Sequence, residues 1–295
     1  MSTMRTPSRI LLPVDYSDRC LNMLRYLRLF VQRYQAELVL LHVVNPVFVA
    51  PETGISGPVM LPVPEWLIEQ ESKKLDDFAR EETAGMPVRR LIYEGLAESQ
   101  IVETAKAEQV DLIAMSTHGL GVFRRLLLGS VTAKVLDDVN CPVLTSAHVE
   151  KMQNAYSPAI SSIVCGIDLE ITHPEPLQWA ARLANDFGAK LSVVHAAGYV
   201  DKNIRPTYED QLKPQLTELV RQHLRNLGGE IALAPESVEI FIQDGDPAHG
   251  VCGQARNIAA DLIVIGRSHK PSHGGRLNRD AYGIISHSPC PVLSV

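Results

Sequence analysis

The sequence predicts an α/β protein: two tandem doubly wound parallel five-stranded sheets, each with helices on both faces. Two observations carry that reading. Short, continuous apolar runs alternate with longer amphipathic stretches, the pattern of parallel strands covered on both faces by helices. The whole alternation then occurs a second time in the same order. Ile10 to Asp15 reads I-L-L-P-V-D, and Ile163 to Asp168 reads I-V-C-G-I-D. Ala36 to Val44 reads A-E-L-V-L-L-H-V-V, against A-K-L-S-V-V-H-A-A from Ala189. Asp111-Leu-Ile returns as Asp261-Leu-Ile, and Cys141-Pro-Val-Leu as Cys290-Pro-Val-Leu. Matches in one order at nearly one spacing mean a tandem duplication. The domains are residues 1–147 and 161–295, joined by a linker at 148–160 that is rich in Asn, Tyr, Ser and Pro.

The first repeat reads in order. Ile10–Val14 is a buried strand, and Ser17 or Asp18 caps a helix through about Tyr34. Leu38–Val44 is a second strand. Pro46–Pro64, with Val, Phe, Met and Ile, is an apolar loop, either a lid or a segment packed on the partner domain. A polar amphipathic helix spans Glu65 to about Glu82, Val88–Tyr93 alternates as a strand, and Glu98–Glu108 is helical. Leu112–Met115 is an apolar strand, a glycine-rich loop follows at 116–129, a helix runs near Val131–Asp138, and Pro142–Thr145 closes the unit. The second repeat has strands near 162–167, 190–196, 237–242, 261–265 and 291–295.

Composition narrows the function. A chain of 295 residues, 45% hydrophobic and 21% charged, has room for two cores. A formal net charge of -6 offers no global attraction to nucleic acid or an anionic membrane. No run approaches the ~18 consecutive apolar residues of a membrane span, and the start lacks a secretory h-region. Five Cys without a Cys-x-x-Cys pair read as reduced thiols in a cytoplasmic protein.

Ligands of open α/β sheets bind beyond the carboxyl ends of the strands, where the strand order reverses. The residues to inspect are therefore Pro13, Val14 and Asp15, then Val43, and above all Met115-Ser116-Thr117-His118-Gly119 leading to Gly129-Ser130-Val131-Thr132. Gly129 lets the backbone come close to a phosphate, and the free amides and dipole of the following helix favour negative charge. Ser130 and Thr132 add hydroxyls, while Asp15 accepts from ribose hydroxyls or reaches a magnesium ion. The same Gly129-Ser130 pair also reads as a plain turn with a Ser N-cap. There is no G-x-x-x-x-G-K-[ST], no complete dinucleotide fingerprint, and no H-E-x-x-H, G-x-S-x-G or paired metal-ligand spacing.

The I-L-L-P-V-D start, the L-L-H-V-V and D-L-I strands, the S-T-H-G loop with its G-S-V-T end, and the closing C-P-V-L strand resemble the universal stress protein family in its tandem form. The resemblance covers nearly all of the chain and implies an adenine-nucleotide alpha-hydrolase-like fold. ATP-binding members carry G-x-x-G, nine residues, then G-[ST] after the fourth strand. Here Gly119, Leu120–Leu128 and Gly129-Ser130 fit, and Ser116 replaces the first glycine. By that resemblance Asp15 and Val43 line the adenine and ribose pocket. Met115, His118 and Gly119 follow the sugar and phosphates, and Gly129, Ser130, Val131 and Thr132 hold the triphosphate. The second repeat keeps Gly266 and Asp168, but Lys270 stands at the second glycine and Asn278-Arg279 in the Gly-Ser slot. ATP with Mg2+ is thus expected in the first domain and no ligand in the second. The family's single domains resemble dimers paired through their last strands. That implies intrachain pairing through Pro142–Thr145 and Pro291–Val295, and a homodimer.

The histidines read blandly. His42 and His195 sit at equivalent strand ends as core or edge residues, His118 orders its loop or touches ligand, and His269, His273 and His287 form no metal site. Arg124-Arg125 either attract phosphate or are solvated. Three functions compete: a stress-response regulator or interaction module that binds ATP and signals to an unknown protein partner, a nucleotide-free scaffold, and a slow ATPase. The last needs a general base and a magnesium site, for which Asp15 and His118 are the visible pair. No catalytic residue is assigned.

Overall fold

The computed structural model describes residues 6–49, 59–116, 128–146, 159–168, 174–201, 203, 205–227, 234–267 and 277–295. The chain divides into two compact units. The first holds β1 (Arg9–Pro13), α1 (Asp18–Tyr34), β2 (Glu37–Val44), β3 (Val47–Val49), β4 (Val59–Leu61), α2 (Glu65–Asp77), β5 (Val88–Glu94), α3 (Ala97–Ala107), β6 (Leu112–Ser116) and α4 (Ser130–Asp138). Its main strands run in the order β6-β1-β2-β5, with parallel pairing of β6 to β1, β1 to β2 and β2 to β5.

Apolar spacing explains why α1 is a helix with one buried face. Cys20, Met23, Leu24, Leu27, Phe30 and Val31 recur at three- and four-residue intervals, and all are buried. Each large side chain so buried stabilises the unit by about 1.5–3 kcal/mol. Ser17 caps the start by accepting from the Cys20 amide at 3.1 Å. Helices cover both faces of the sheet, as adjacent residues of β5 show. The Arg89 guanidinium reaches Glu108 just past α3, whereas Arg90 Nε donates to the Leu75 carbonyl in α2. Neighbours in a strand point to opposite faces, so α2 and α3 lie on opposite sides.

Two expectations for this unit change. The helix expected to reach Glu82 ends at Asp77, and Phe78 turns extended with ψ 125°. Arg90 takes the Leu75 carbonyl and Arg28 the Glu82 carbonyl, so tertiary bonds replace the helical ones that periodicity suggested. The stretch expected as a loop between Pro46 and Pro64 contains an antiparallel pair, β3 with β4.

The second unit holds β7 (Val143–Ser146), β8 (Ser162–Ile167), α5 (Glu175–Phe187), β9 (Lys190–Ala196), the short α6 (Arg205–Thr207), α7 (Lys213–Leu227), β10 (Glu239–Gln243), α8 (Pro247–Asn257), β11 (Leu262–Ile265), α9 (Arg279–His287) and β12 (Val292–Ser294). The order β10-β9-β8-β11-β12 is parallel throughout. β12 also pairs antiparallel with β7, placing Val292 opposite Thr145 and Ser294 opposite Val143. Buried hydroxyls reinforce that pair: Thr145 Oγ1 donates to the Val292 carbonyl at 3.3 Å, and Ser294 Oγ to the Val143 carbonyl at 3.1 Å. The sheet is therefore mostly rather than wholly parallel.

Candidate functional site

In the first unit the chain moves outward from β1 to β2 to β5, then returns to β6 on the other side of β1. The order reverses between β1 and β6, so the crevice lies beyond Pro13 and Ser116. The structure brings together Pro13, Val14, Asp15, Met115 and Ser116 around that point, with Val43 at the end of the neighbouring β2. Val14 and Met115 are buried, and the Val14 amide donates to the Leu41 carbonyl at 2.7 Å.

Asp15 is oriented by its own chain. Its Oδ1 accepts from the Ser17 amide at 3.0 Å and from Ser17 Oγ at 2.6 Å. Oδ2 accepts from no described residue and is available to a ligand hydroxyl or amine.

The opposite wall is the start of α4. Gly129 is the N-cap, with φ -60° and ψ 145°, a conformation any residue adopts. Glycine is therefore not required there by the backbone angle. Ser130 is the first helical residue and not the cap, and no side chain caps this helix. The first helical bond runs from the Ala133 amide to the Gly129 carbonyl at 2.9 Å. The amides of Ser130, Val131 and Thr132 therefore have no acceptor within the helix, and they carry its positive dipole end. Thr132 Oγ1 donates to the Ser116 carbonyl at 3.1 Å. That proton is committed to tying α4 to the end of β6, which leaves the Thr132 amide for an anion. The residues fit a phosphate group. Among the described residues no cluster of His, Cys, Asp or Glu could hold a metal ion. His118 and Gly119, like Arg124, Arg125, His269, Lys270 and His273, lie outside the described residues.

A second constellation beside this crevice has only one member with a sequence signal. Tyr16 follows Asp15 in the left-handed region with φ 59°, an outlier for a bulky residue. Its ring packs on His42 at 4.6 Å between centroids and edge-on to Phe78 at 5.5 Å. Lys74 Nζ sits 3.9 Å over its face. Burial first, and then the nearby Glu71 carboxylate, push the Tyr16 phenol well up from its ordinary range. His42 Nδ1 lies 2.8 Å from the Val14 carbonyl, which can only accept, so Nδ1 carries the proton. Its Nε2 faces Glu71 Oε2 at 3.5 Å, and Lys74 Nζ is 3.4 Å from the same oxygen. That oxygen is buried and aligned with neither neighbour as a hydrogen bond.

The second unit repeats part of the plan. His195 Nδ1 lies 3.1 Å from the Ile167 carbonyl, the counterpart of the His42 bond. Asn278 is the N-cap of α9, as Gly129 is of α4, but its side chain accepts from the Ala281 amide at 2.7 Å. The amide equivalent to that of Thr132 is thus already satisfied. Gly266 survives in a crowded place: a Cβ there would meet Pro176 Cγ at 3.0 Å. Four of the five cysteines are shielded from solvent. Cys20, Cys165, Cys252 and Cys290 are buried, and burial pushes the Cys20 and Cys290 thiols up to about 12.

These features meet known proteins in one place. The sequence model of the universal stress protein family matches residues 7–146 and again 160–295. The chain belongs to the universal stress protein family. A universal stress protein of Methanocaldococcus jannaschii is 31% identical over 150 residues, covering 46% of this chain and 92% of its own. One of Mycolicibacterium smegmatis is 25% identical over 298 residues, 97% of this chain and 96% of its own, so it is similar across both repeats. In structure, a universal stress protein from Archaeoglobus fulgidus superposes with a TM-score of 0.68 at 21% identity, over 98% of both chains, which shows the shared fold.

Proposed function

We propose that this universal stress protein binds ATP, as its magnesium complex, in the first unit and acts as a nucleotide-dependent regulator or interaction module. The observation that carries the reading is the uncapped start of α4. Three amides without helical acceptors are tied to Ser116 at a strand-order reversal, where Asp15 also stands with one oxygen that accepts from no described residue. The family's ATP-binding loop pattern, which Gly119, Gly129 and Ser130 match, supplies the adenine nucleotide as the ligand. Asp15 and Val43 would hold the adenosine part, with Pro13, Val14, Met115, Ser116, His118 and Gly119 around it. Gly129, Ser130, Val131 and Thr132 would hold the phosphates. The second unit, with Asn278 satisfying its own helix, takes no nucleotide in this reading. Five free cysteines, four of them buried, suit a reducing cytoplasm. A homodimer with a further protein partner completes the proposal.

A scaffold that binds no nucleotide is the second reading, and Ser116 in place of the family's first glycine favours it. Hydrolysis has less support. His42, the one histidine described beside the crevice, holds a backbone carbonyl through Nδ1 and turns its largely buried Nε2 to Glu71, so it is badly placed to act as a general base on a ligand in the crevice. Thermal unfolding with and without MgATP separates the readings. At 100 times its dissociation constant a ligand stabilises the native state by about 2.7 kcal/mol, or roughly 5–10 °C for a domain of this size. The shift should appear in the wild type and vanish in Gly129→Asp, whose carboxylate would occupy the anion's place. An unshifted wild type, with no nucleotide in its acid extract, would leave the scaffold.

A further inference from the structure

We infer that His42 is a positioning residue for the ligand site: it fixes the Val14–Asp15 peptide, and Glu71 of α2, packed against Nε2, confines its ring. The inference rests on the nucleotide reading above and adds residues that lie behind the ligand rather than against it.

The argument begins with a carbonyl. Val14 stands just past the end of β1, and His42 Nδ1 donates to its oxygen from β2 at 2.8 Å. The peptide anchored in this way is the one that presents Asp15. The same bond recurs in the second unit, from His195 to the Ile167 carbonyl, immediately before Asp168. A histidine that holds the carbonyl preceding the acid is therefore a device of the fold, used in both repeats. What differs is the other face of the ring in the first unit. Tyr16 covers it at 4.6 Å, and the buried Glu71 Oε2 meets Nε2 at 3.5 Å. Lys74 balances that carboxylate, and Arg90 on the same face of the sheet anchors α2 through the Leu75 carbonyl. The side chain of His42 is 84% buried and that of Glu71 85%, so neither can swing into solvent without unpacking the other.

Such a chain couples two places. If α2 lifts, the imidazole loses the side chain packed against Nε2 and is free to turn, and the Val14 carbonyl loses its donor. Asp15 then keeps only its short-range tie to Ser17 and samples more orientations. Pre-organisation of a binding group by a supporting layer typically sets affinity to a degree of ten- to a hundredfold where it has been measured for metal sites. Ligand binding and α2 seating must then favour one another reciprocally.

The test is titration calorimetry of MgATP into the full chain and three variants, with unfolding curves as a folding control. His42→Leu removes both contacts and should weaken binding by about tenfold or more. His42→Asn keeps a donor near the position of Nδ1 and should recover most of that loss, a rescue that a merely space-filling histidine would not show. Glu71→Ala leaves the bond to Val14 possible but frees the ring, and should fall between the two. Asn no better than Leu, or Glu71→Ala binding like the wild type, overturns the positioning role. If His42→Leu does not fold, Glu71→Ala alone decides on the same criterion. A wild type that binds no MgATP is a different failure: it overturns the nucleotide reading and this inference with it, whereas equal binding by all four proteins overturns the inference alone.

Discussion

Asp111 shows how much one carboxylate can organise without touching a ligand. Its Oδ2 accepts from the Ser8 amide at 2.9 Å, Ser8 Oγ at 2.6 Å and the Arg9 amide at 3.0 Å, tying the entry of β1 to the entry of β6. Asp261 repeats the arrangement with Ser161 and Ser162 at the entries of β8 and β11. The repeated D-L-I motif is visible in the sequence, yet its Asp reads there as no more than the lead-in to a strand. Its partners lie 103 and 102 residues away, and only the fold brings them together. Bonds to a charged acceptor are worth about 1.5–3 kcal/mol when buried, and these are partly exposed. Asp111→Ala should therefore lower the urea stability of the first unit by about 1–2 kcal/mol, with Asp111→Asn losing less because it keeps one acceptor. Tyr16 and Glu71 were illegible for a related reason. A left-handed Tyr has no local signal of the kind Gly or Asn gives, and Glu71 reads as one more polar position on an amphipathic helix. His42 reads from the sequence as a bland core or edge histidine, because its acceptor is a backbone atom 28 residues distant.

Among the elements, legibility followed how local the signal is. Buried parallel strands announce themselves as apolar runs, and the expected and observed spans of β1, β2, β6, β8 and β9 nearly coincide. The β3–β4 pair was missed because Gly and Pro around it dominate the reading, although Val47-Phe-Val49 has strand composition. Helix ends were harder, since tertiary bonds decide where α2 stops. Comparison of the two repeats exposes a further helix-end detail. α5 ends on Gly188 with φ 66°, a left-handed residue that costs glycine nothing, and a Cβ there would meet open space. α1 ends in the same conformation on Gln35, with φ 51°. An L-residue in that region is strained by roughly 1–2 kcal/mol, part of which glycine returns through its more flexible unfolded chain. Gln35→Gly should accordingly raise stability by about 0.5–1 kcal/mol, and Gly188→Gln should lower it by a similar amount, as read from denaturant midpoints. No gain in Gln35→Gly would mean that the Gln35 side chain, which donates to the Gln32 carbonyl at 2.8 Å, offsets the backbone strain.

For the molecule as a whole, duplication makes the prediction about stoichiometry. Two copies of one fold share the strand plan, the entry carboxylates and the histidine that holds the carbonyl before the acid. For ligand choice the difference that matters lies at the start of the helix after the fourth strand of each repeat. α4 leaves its first amides open behind Gly129, while α9 has Asn278 filling the equivalent place. An anion approaching α9 would have to displace a hydrogen bond already made and find room beside a side chain. An anion approaching α4 meets no side-chain cap to displace. The difference is local, because the chain as a whole carries a net charge of -6 and offers a nucleotide no long-range attraction. Binding should therefore saturate at one MgATP per chain in calorimetry or equilibrium dialysis, and fall to none in Gly129→Asp. Asn278→Gly, which reopens the Ala281 amide, should leave the first site unchanged. Two equivalents per chain in the wild type would mean that a capped helix start is no barrier to the nucleotide, and that the asymmetry between the repeats serves something other than ligand choice.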